Sequence, residues 1–462
     1  MKQIPRIVIA AISSSAGKST VSLGLMAALR ARGLTVQAFK VGPDFLDRQH
    51  HARVTGRPAC NLDSWMCEAE TVRALFDEAS ADADIAVIEG VMGVFDGHSP
   101  IDEIGCTAHV AKLLGAPVLL VIDASAMARS AAAIVMGVKA FDPELNVAAV
   151  ILNRVGGPGH VGFVQPAIEQ FAGVPVVGSL VNDPDAALPS RHLGLVSPGE
   201  SQSDAAYAAL AARIEAGIEI DRLIALASTG RALDVSDAGG LTVTKGAPVT
   251  IAVARDAAFQ FYYAENLARL EALGANLQFF SPLADTDLPE DTDLVYLGGG
   301  YPELHTSALS GTDSMRSAIK RFAENDGPIY GECGGFMYLA ETLAPIDGEP
   351  AKMVGVFPVD VAMGGRFVLG YGIVGVTGRN PFLAEGTRFR VHEFHFSTAH
   401  EREPMNASYS VAMEGKPAHV DGFVSKNVAA GYVHVHFAAC PALAKGLVNA
   451  AREHRRRREA AQ

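Results

Sequence analysis

The strongest constraint on the fold is a short loop near the start of the chain that joins an apolar stretch to a helical pattern. The apolar stretch is Ile7–Ile12, and the helical pattern is Thr20–Arg32. In a strand–loop–helix of this kind, backbone N–H groups and the helix N-terminus bind phosphate. The sequence therefore predicts a nucleotide-binding α/β domain, whose phosphate-binding residues are Ser15, Ala16, Gly17, Lys18, Ser19 and Thr20.

The loop departs from the strict pattern G-x-x-x-x-G-K-S/T, because Ile12 occupies the place of the first Gly. The alternative is a Gly at an ordinary strand–helix turn, followed by an exposed Lys. The flanking strand and helix favour the phosphate loop, in which Lys18 reaches the terminal phosphates and Ser19 ligates Mg²⁺.

Two series of strands alternating with helices follow, which predicts an α/β fold. In the first series the alternation predicts a mostly parallel sheet covered on both faces. The first series contains four further strand candidates, Ala86–Ile88, Val118–Ile122, Ala148–Leu152 and Val174–Val177. The second opens at Val249–Ala254 and later gives way to short strands separated by Gly and Pro turns. We expect an ATP-binding domain at residues 1–230, a linker at 231–248, a second α/β domain at 249–445 and a charged tail at 446–462.

Composition limits the partners and the compartment. A net charge of −13 argues against nucleic acid or an anionic membrane as a partner of the whole surface. The five Cys form no CxxC pair, the first residues lack the pattern of a signal peptide, and no stretch of the sequence has ~18 consecutive apolar residues. We therefore expect a cytoplasmic protein without a membrane segment.

Charged residues follow the strand candidates of the first domain, where open α/β sheets bind ligands. Glu89 and Asp44 are candidate Mg²⁺ ligands, beside Ser19. Lys40, Asp44 and Asp96 are candidates for contact with the substrate or the reacting phosphate. The alternatives are an Asp-Gly turn for Asp96 and a capped turn, a stronger competitor for the nearby Asp47 than for Lys40 or Asp44.

Cys333 lies between a strand candidate and a helix candidate, in Gly331-Glu332-Cys333-Gly334-Gly335. Such an elbow at a helix N-terminus is typical of a nucleophile, and we expect the helix dipole to lower the pKa of the thiol. The other four Cys are interpreted as small buried apolar residues.

A thiol that attacks an amide also needs an oxyanion hole and a base. Gly299 and Gly300, at the end of the preceding strand, together with Gly334, are the candidate oxyanion donors. His434 and His436 are two residues apart on the last strand candidate, so either could face Cys333. The pairs His50/His51 and His392/His395 lack companions at zinc-ligand spacing, so no metal other than Mg²⁺ is expected.

Three stretches of the first domain resemble the cobyrinic acid a,c-diamide synthase family, whose ATP domain is similar to dethiobiotin synthetase. They are KVGPDFLD at Lys40–Asp47, TGRPACNLDSW at Thr55–Trp65 and EGVMGVFDG at Glu89–Gly97. The resemblance implies that ATP activates a carboxylate as an acyl phosphate. It also implies that Asn153 contacts adenine, with an Asx turn as the alternative, and that Arg191 faces the substrate.

The second domain resembles the class I (triad) glutamine amidotransferases. That family has His-x-Glu at the last strand, whereas here His436 replaces the Glu two residues after His434. The resemblance therefore implies a Cys333–His434 dyad or a different orienting group, which could be His436. It also suggests substrate contact by His395, in the stretch VHEFHFS.

Together these features predict an ATP- and glutamine-dependent ligase that amidates the a and c side chains of a corrin, cobyrinate or hydrogenobyrinate. The expected cofactors are ATP and Mg²⁺, the ligands are a corrin polycarboxylate and L-glutamine, and a homodimer is compatible with this interpretation. Two alternatives stay open: an amidotransferase for another tetrapyrrole such as nickel-sirohydrochlorin, and a P-loop regulatory ATPase with a non-catalytic amidotransferase domain.

Overall fold

The computed structural model describes residues 4–183, 190–191, 194–195, 203–233 and 247–461. The chain divides into two compact units, Met1–Ala238 and Gly239–Gln462. In the described parts, no helix has both the length and the apolar character needed to cross a membrane.

The first unit is built on a seven-stranded sheet with the order β3-β2-β4-β1-β5-β6-β7. Its strands are β1 (Arg6–Ala11), β2 (Val36–Val41), β3 (Cys60–Leu62), β4 (Ile85–Glu89), β5 (Val118–Asp123), β6 (Val147–Val155) and β7 (Val176–Val181). Its helices are α1 (Lys18–Ala31), α2 (Leu46–Thr55), α3 (Ala69–Ser80), α4 (Thr107–Leu113), α5 (Ser130–Phe141), α6 (Pro158–Ala167), α7 (Ser203–Gly217) and α8 (Ile220–Ala227). A π-helical turn at Ile168–Ala172 and the short pair β8 (Ser190–Arg191) and β9 (Gly194–Leu195) complete the unit.

The paired strands of this sheet are all parallel, as predicted. Every residue of β1, β2 and β4 is buried, because helices cover both faces of the sheet. The parallel arrangement also brings the carboxyl ends of these strands to one edge. Lys40 pairs in register with Glu89, so the two charged residues lie side by side where the phosphate loop leaves β1.

The second unit contains a twelve-stranded mixed sheet with the order β11-β10-β12-β13-β20-β19-β18-β16-β14-β15, to which β17 and β21 add through β16. Its strands are β10 (Val249–Ala254), β11 (Ala275–Phe280), β12 (Leu294–Leu297), β13 (Ile329–Glu332), β14 (Thr342–Ala344), β15 (Ala351–Lys352), β16 (Val359–Val376), β17 (Arg388–Glu401), β18 (Asn406–Met413), β19 (His419–Ser425), β20 (Val428–Gly431) and β21 (Val433–His434). Its helices are α9 (Ala264–Ala272), α10 (Thr306–Gly311), α11 (Asp313–Glu324), α12 (Gly334–Leu339) and α13 (Pro441–Ala461), with a 3-10 turn at Pro302–His305.

Strands β10 to β13 and β20 pair in parallel and form the α/β part of this unit. The antiparallel pair β16 and β17 differs most from expectation, since the sequence predicted only Arg388–Val391 of it as a strand. The stretch expected as a charged tail continues α13 as far as Ala461. This helix packs on the core, because Leu447 and Val448 are fully buried.

Candidate functional site

The phosphate loop is closed by Asn153 at the end of β6. The Nδ2 of Asn153 donates a hydrogen bond to the carbonyl of Ala16 at 2.9 Å. A Cβ on Gly17, whose φ is +102°, would lie 2.0 Å from that nitrogen, so only Gly fits here. The next residue, Arg154, donates to the carbonyl of Ser15 at 2.8 Å. Asn153 therefore lies against the phosphate loop, and its contact with adenine stays a prediction.

Lys18, the first residue of α1, is folded back across its own loop. Its Nζ donates to the carbonyls of Ser13 at 2.9 Å and Met92 at 2.5 Å. Burial, followed by repulsion from Lys40, lowers the pKa of Lys18 to about 8. An anionic phosphate at the loop would relieve both effects, which fits a lysine that binds phosphate.

Glu89 is fully buried at the centre of a polar network. Its Oε1 accepts hydrogen bonds from the Ser19 hydroxyl at 2.7 Å and from Lys40 Nζ at 3.0 Å. Its Oε2 lies 2.7 Å from Nε2 of His51. Burial opposes the charge, but Lys40 and His51 hold the pKa of Glu89 well below its ordinary value. The structure thus joins three predicted site residues and adds His51, which the sequence analysis considered only as a false zinc ligand.

The two aspartates of KVGPDFLD have different surroundings. Asp44 Oδ1 accepts the backbone N–H groups of Leu46 and Asp47 at 2.8 and 2.9 Å, and so caps the first turn of α2. Asp47, for which a capped turn was a serious alternative, lies 2.6 Å from Lys40 Nζ through Oδ2. Asp44 thus uses one oxygen in capping, and its role as a metal ligand stays a prediction.

Asp96 and Arg191 complete the predicted set in this unit. Asp96 Oδ2 accepts the N–H of Gly93 at 2.8 Å within the loop after β4, and its charge acts on Lys18. Arg191 belongs to β8, but its side chain lies outside the described residues.

The donor set fits a nucleotide with a small divalent cation. Ser19 and Glu89 supply oxygen ligands, which Mg²⁺ prefers, and Mg²⁺ usually keeps several waters. Thr20 follows Ser19 in the first turn of α1. Among the residues that the structure describes, no group of three or more His, Cys, Asp or Glu is arranged to hold a metal.

Cys333 lies on the predicted elbow between β13 and α12. Its φ of 47° and ψ of −100° are unusual for a residue other than Gly and belong to a sharp turn. The backbone N–H of Cys333 donates to Gly431 at 2.7 Å, and Sγ lies 3.6 Å from the carbonyl oxygen of Phe394. The strained backbone turn and these two contacts together fix the position of the thiol.

The expected lowering of the thiol pKa is wrong for this state of the protein. Burial, with Glu303 as the next cause, raises the pKa of Cys333 above its ordinary value. The N–H of Gly334 acts in the opposite direction but is outweighed, and α12 is only six residues long. The thiol is therefore protonated at neutral pH and needs a base.

The three candidate oxyanion glycines lie together. A Cβ on Gly334 would be 3.1 Å from the nitrogen of Gly300 and 3.4 Å from the carbonyl carbon of Gly299. The carbonyl of Gly299 accepts hydrogen bonds from Gln260 and Phe261, both at 3.0 Å. The loop that carries Gly299 and Gly300 thus packs against Gly334, the residue after Cys333, and its role as an oxyanion hole stays a prediction.

The two candidate bases occupy different environments. A Cβ on Gly299 would be 2.8 Å from Cε1 of His434, so this ring borders the oxyanion loop. β21 ends at His434, and the two-residue alternation does not continue to His436. His436 instead packs on Tyr263, with ring centroids 4.8 Å apart, and accepts the N–H of Ala438. The surroundings favour His434 as the base.

One buried carboxyl group beside His434 was missed. Oε2 of Glu332 lies 3.9 Å from Nδ1 of His434, and both side chains are 2% exposed. The available clue was an acidic residue at the end of an apolar strand, immediately before the nucleophile.

His395 follows Phe394 on β17, and the carbonyl of Phe394 is the group near the thiol. Its ring stacks on Tyr432 with centroids 3.9 Å apart, and its Nε2 lies 3.0 Å from Oε1 of Glu393. Burial opposes the charge of Glu393, but hydrogen bonds from His395 and His419 lower its pKa to about 2. These contacts hold the ring of His395 in place, and its contact with substrate stays a prediction.

Each of the two parts of the chain matches a known protein family. Residues 7–196 match the CobQ/CobB/MinD/ParA nucleotide binding domain, and residues 250–442 match the CobB/CobQ-like glutamine amidotransferase domain. The chain is 44% identical to cobyrinate a,c-diamide synthase of Syntrophotalea carbinolica, covering 96% of this chain and 98% of that one. It is 40% identical to hydrogenobyrinate a,c-diamide synthase of Streptomyces coelicolor, covering 97% and 98%. The chain therefore belongs to the cobyrinate a,c-diamide synthase family.

Proposed function

We propose that the protein is an ATP- and glutamine-dependent ligase that converts the a and c side-chain carboxylates of cobyrinate or hydrogenobyrinate into carboxamides. The names of its relatives support the reaction and the substrate class. The observation that carries the proposal is that one chain contains two sites with the groups that the two half-reactions need. One is a phosphate loop next to buried Glu89 and Lys40, and the other is a strained thiol next to an oxyanion loop and His434.

In the first unit, ATP transfers its γ-phosphoryl group to an oxygen of the substrate carboxylate, and ADP leaves. Lys18 lies where it can follow the negative charge that moves between the phosphates. Lys40, held by Asp47 and Glu89, supplies a fixed positive charge at the same edge. We propose that Ser19 and Glu89 hold Mg²⁺, which would neutralise phosphate charge. Ammonia then attacks the acyl phosphate carbon, and phosphate departs.

In the second unit, Cys333 attacks the side-chain amide of glutamine. His434 accepts the thiol proton as the C–S bond forms, and the backbone around Gly300 and Gly334 stabilises the oxyanion. The proton passes to the leaving nitrogen, which departs as ammonia. Water then hydrolyses the thioester to glutamate and restores the thiol.

The test separates the two half-reactions. Cys333→Ser should lose glutamine hydrolysis and glutamine-dependent amidation, while free ammonia restores ATP-dependent amidation. Full glutamine-dependent activity in this variant would exclude Cys333 as the nucleophile. Failure of ammonia to restore amidation would contradict an independent synthetase site and favour a regulatory ATPase.

The substrate is tested by mass spectrometry of products formed from cobyrinate, hydrogenobyrinate and nickel-sirohydrochlorin. Addition of two amide groups to a corrin supports the proposal, whereas reaction with the nickel compound alone favours the other tetrapyrrole. We also propose action in the cytoplasm, with which five free, buried cysteines agree.

A further inference from the structure

Glu332 has a buried carboxyl group, and burial disfavours the charged form of such a group. It ends β13, is 2% exposed and immediately precedes the nucleophile. Acidic side chains are rarely buried to this extent unless another group satisfies them. Oε1 accepts a hydrogen bond from the hydroxyl of Tyr330 at 2.8 Å, and the backbone N–H of Val435 also donates to the carboxyl group.

The second oxygen faces the candidate base. Oε2 of Glu332 lies 3.9 Å from Nδ1 of His434, slightly beyond hydrogen-bond distance. The ring of His434 also borders Gly299 of the oxyanion loop. Glu332 and Cys333 are consecutive in the chain, so one stretch of backbone positions both the nucleophile and this carboxyl group.

We propose that Glu332 is the positioning residue of the thiol site, and that its carboxylate accepts a hydrogen bond from Nδ1–H of His434. This inference rests on the proposed glutaminase function. It assigns to the residue before the nucleophile the role that the absent Glu of His-x-Glu has in the triad family. With Nδ1 carrying the hydrogen, the lone pair of Nε2 is the one available to a proton donor.

The proton balance explains why a carboxylate is useful. The Sγ–H proton of Cys333 moves to Nε2 of His434 as sulfur attacks glutamine, which leaves an imidazolium. An ionised Glu332 stabilises that cation and does not itself take the proton. A protonated Glu332 would instead donate to Nδ1, so that Nε2 would carry the hydrogen and could not act as the base.

Protonation of this pair should therefore control activity. Burial raises the pKa of Glu332 to about 8, and burial, followed by repulsion from His395, lowers the pKa of His434 to about 4. At neutral pH both groups of the resting protein are mostly neutral. Activity should rise as Glu332 ionises. The titratable groups around Glu332 are Tyr262, Tyr296, Tyr330, Tyr409, Cys333 and His434.

The experiment compares the pH profiles of glutaminase activity in wild type and Glu332→Gln, using the full chain. The variant should lower kcat on the order of 10²-fold. The KM for glutamine should stay within about two-fold, because Glu332 does not bind substrate. The rise in activity toward about pH 8 should disappear, since an amide does not ionise in this range. Ammonia-dependent amidation should persist, which shows that the chain is folded.

Tyr330→Phe provides a second, milder test. Loss of the hydroxyl removes a hydrogen bond that favours the ionised carboxylate, so the rise in activity should move to higher pH. Glu324→Gln, at the exposed end of α11, is the matched control and should leave the profile unchanged.

A wild-type kcat and pH profile in Glu332→Gln would overturn the inference. If that variant does not fold, an unshifted profile in Tyr330→Phe would overturn it. Either result leaves the proposed function intact as long as Cys333→Ser still lacks glutaminase activity. Retention of glutaminase in Cys333→Ser would contradict the proposed function instead.

Discussion

Glu89 and His51 lie 2.7 Å apart through Oε2 and Nε2, and neither side chain is accessible to solvent. Because the other oxygen of Glu89 binds Ser19 and Lys40, this one carboxylate links the phosphate loop, β2 and α2. Its position is therefore set by three elements at once, which suits a group that has to hold a metal in a defined place.

We predict that Glu89→Gln abolishes ATP-dependent amidation with either nitrogen source while glutamine hydrolysis persists. The amide oxygen can still accept hydrogen bonds from Ser19 and Lys40, but the neutral amide lacks the charge that pairs with Lys40 and is a poor Mg²⁺ ligand. The free energy of unfolding should fall by roughly 1–3 kcal/mol. This is less than the loss of a whole buried ion pair would cost, because Lys40 keeps its ion pair with Asp47. Paired assays of phosphate release and glutamate formation, with urea unfolding, measure these effects.

The control for this variant is Glu78→Gln, on an exposed position of α3. It should match wild type in both assays. Loss of glutaminase together with amidation in Glu89→Gln would indicate unfolding and count against a specific role at the ATP site.

Gly17→Ala tests the contact between the phosphate loop and Asn153. The added Cβ would lie 2.0 Å from Nδ2 of Asn153, at a φ of +102° that L-residues rarely adopt. We predict weaker ATP binding by at least about tenfold, since displacement of the loop by even ~1 Å removes phosphate contacts. Isothermal titration with a non-hydrolysable ATP analogue measures this loss.

Gly137→Ala is the matched control, because it lies in α5 and a Cβ there meets nothing within 4 Å. It should leave ATP affinity unchanged and raise stability by about 0.5–1 kcal/mol through helix propensity. Equal ATP affinity in Gly17→Ala and Gly137→Ala would show that the side chain of Asn153 can move away from the added Cβ without loss of ATP binding, which would contradict the prediction.

The raised pKa of Glu332 predicts a pH-dependent stability difference. Its pKa is about 8 in the folded protein and ordinarily 4.5, so the folded state holds the proton more tightly between these values. The contribution of this group is thus fully present below pH 4.5 and is lost as the pH rises through about 8. Glu332→Gln removes this dependence.

Relative to wild type, Glu332→Gln should become more stable as the pH rises, by on the order of a few kcal/mol between about pH 5 and pH 8.5. Urea unfolding of both proteins at the two pH values measures the difference. If the difference in unfolding free energy between the two proteins is the same at both pH values, Glu332 is ionised in the folded protein at neutral pH.

Local sequence patterns were sufficient to predict the parallel sheet of the first unit and the two loops that carry chemistry. The strand–loop–helix around Lys18 and the elbow at Cys333 are each formed by consecutive residues, so their geometry is visible in the sequence. The same holds for Gly299 and Gly300, which follow β12 directly. These predictions depended on short-range constraints on the backbone.

The contacts between distant segments could not be predicted in this way. Glu89 meets His51 across 38 positions, and His434 meets Glu332 across strands whose register no local pattern specifies. The thiol pKa was mispredicted for the same reason, because the thiol is buried next to Phe394 of β17 and is affected by the charge of Glu303, both distant in the chain. No part of β16 was predicted, since its pairing with β17 shifts register between Met363 and Val368, where Gly364 and Gly365 have φ of 98° and 91°.

Replacement of the two strand histidines should separate catalysis from packing. His434→Asn should lower glutaminase kcat by about 10²–10⁴-fold, because Asn cannot accept the thiol proton. His436→Asn keeps an acceptor for the N–H of Ala438 but loses the packing on Tyr263. It should therefore cost about 1–3 kcal/mol of stability and have the smaller effect on kcat. Steady-state glutaminase assays and thermal unfolding of both variants measure the effects on kcat and on stability. A larger loss of kcat in His436→Asn than in His434→Asn would reverse the assignment of the base.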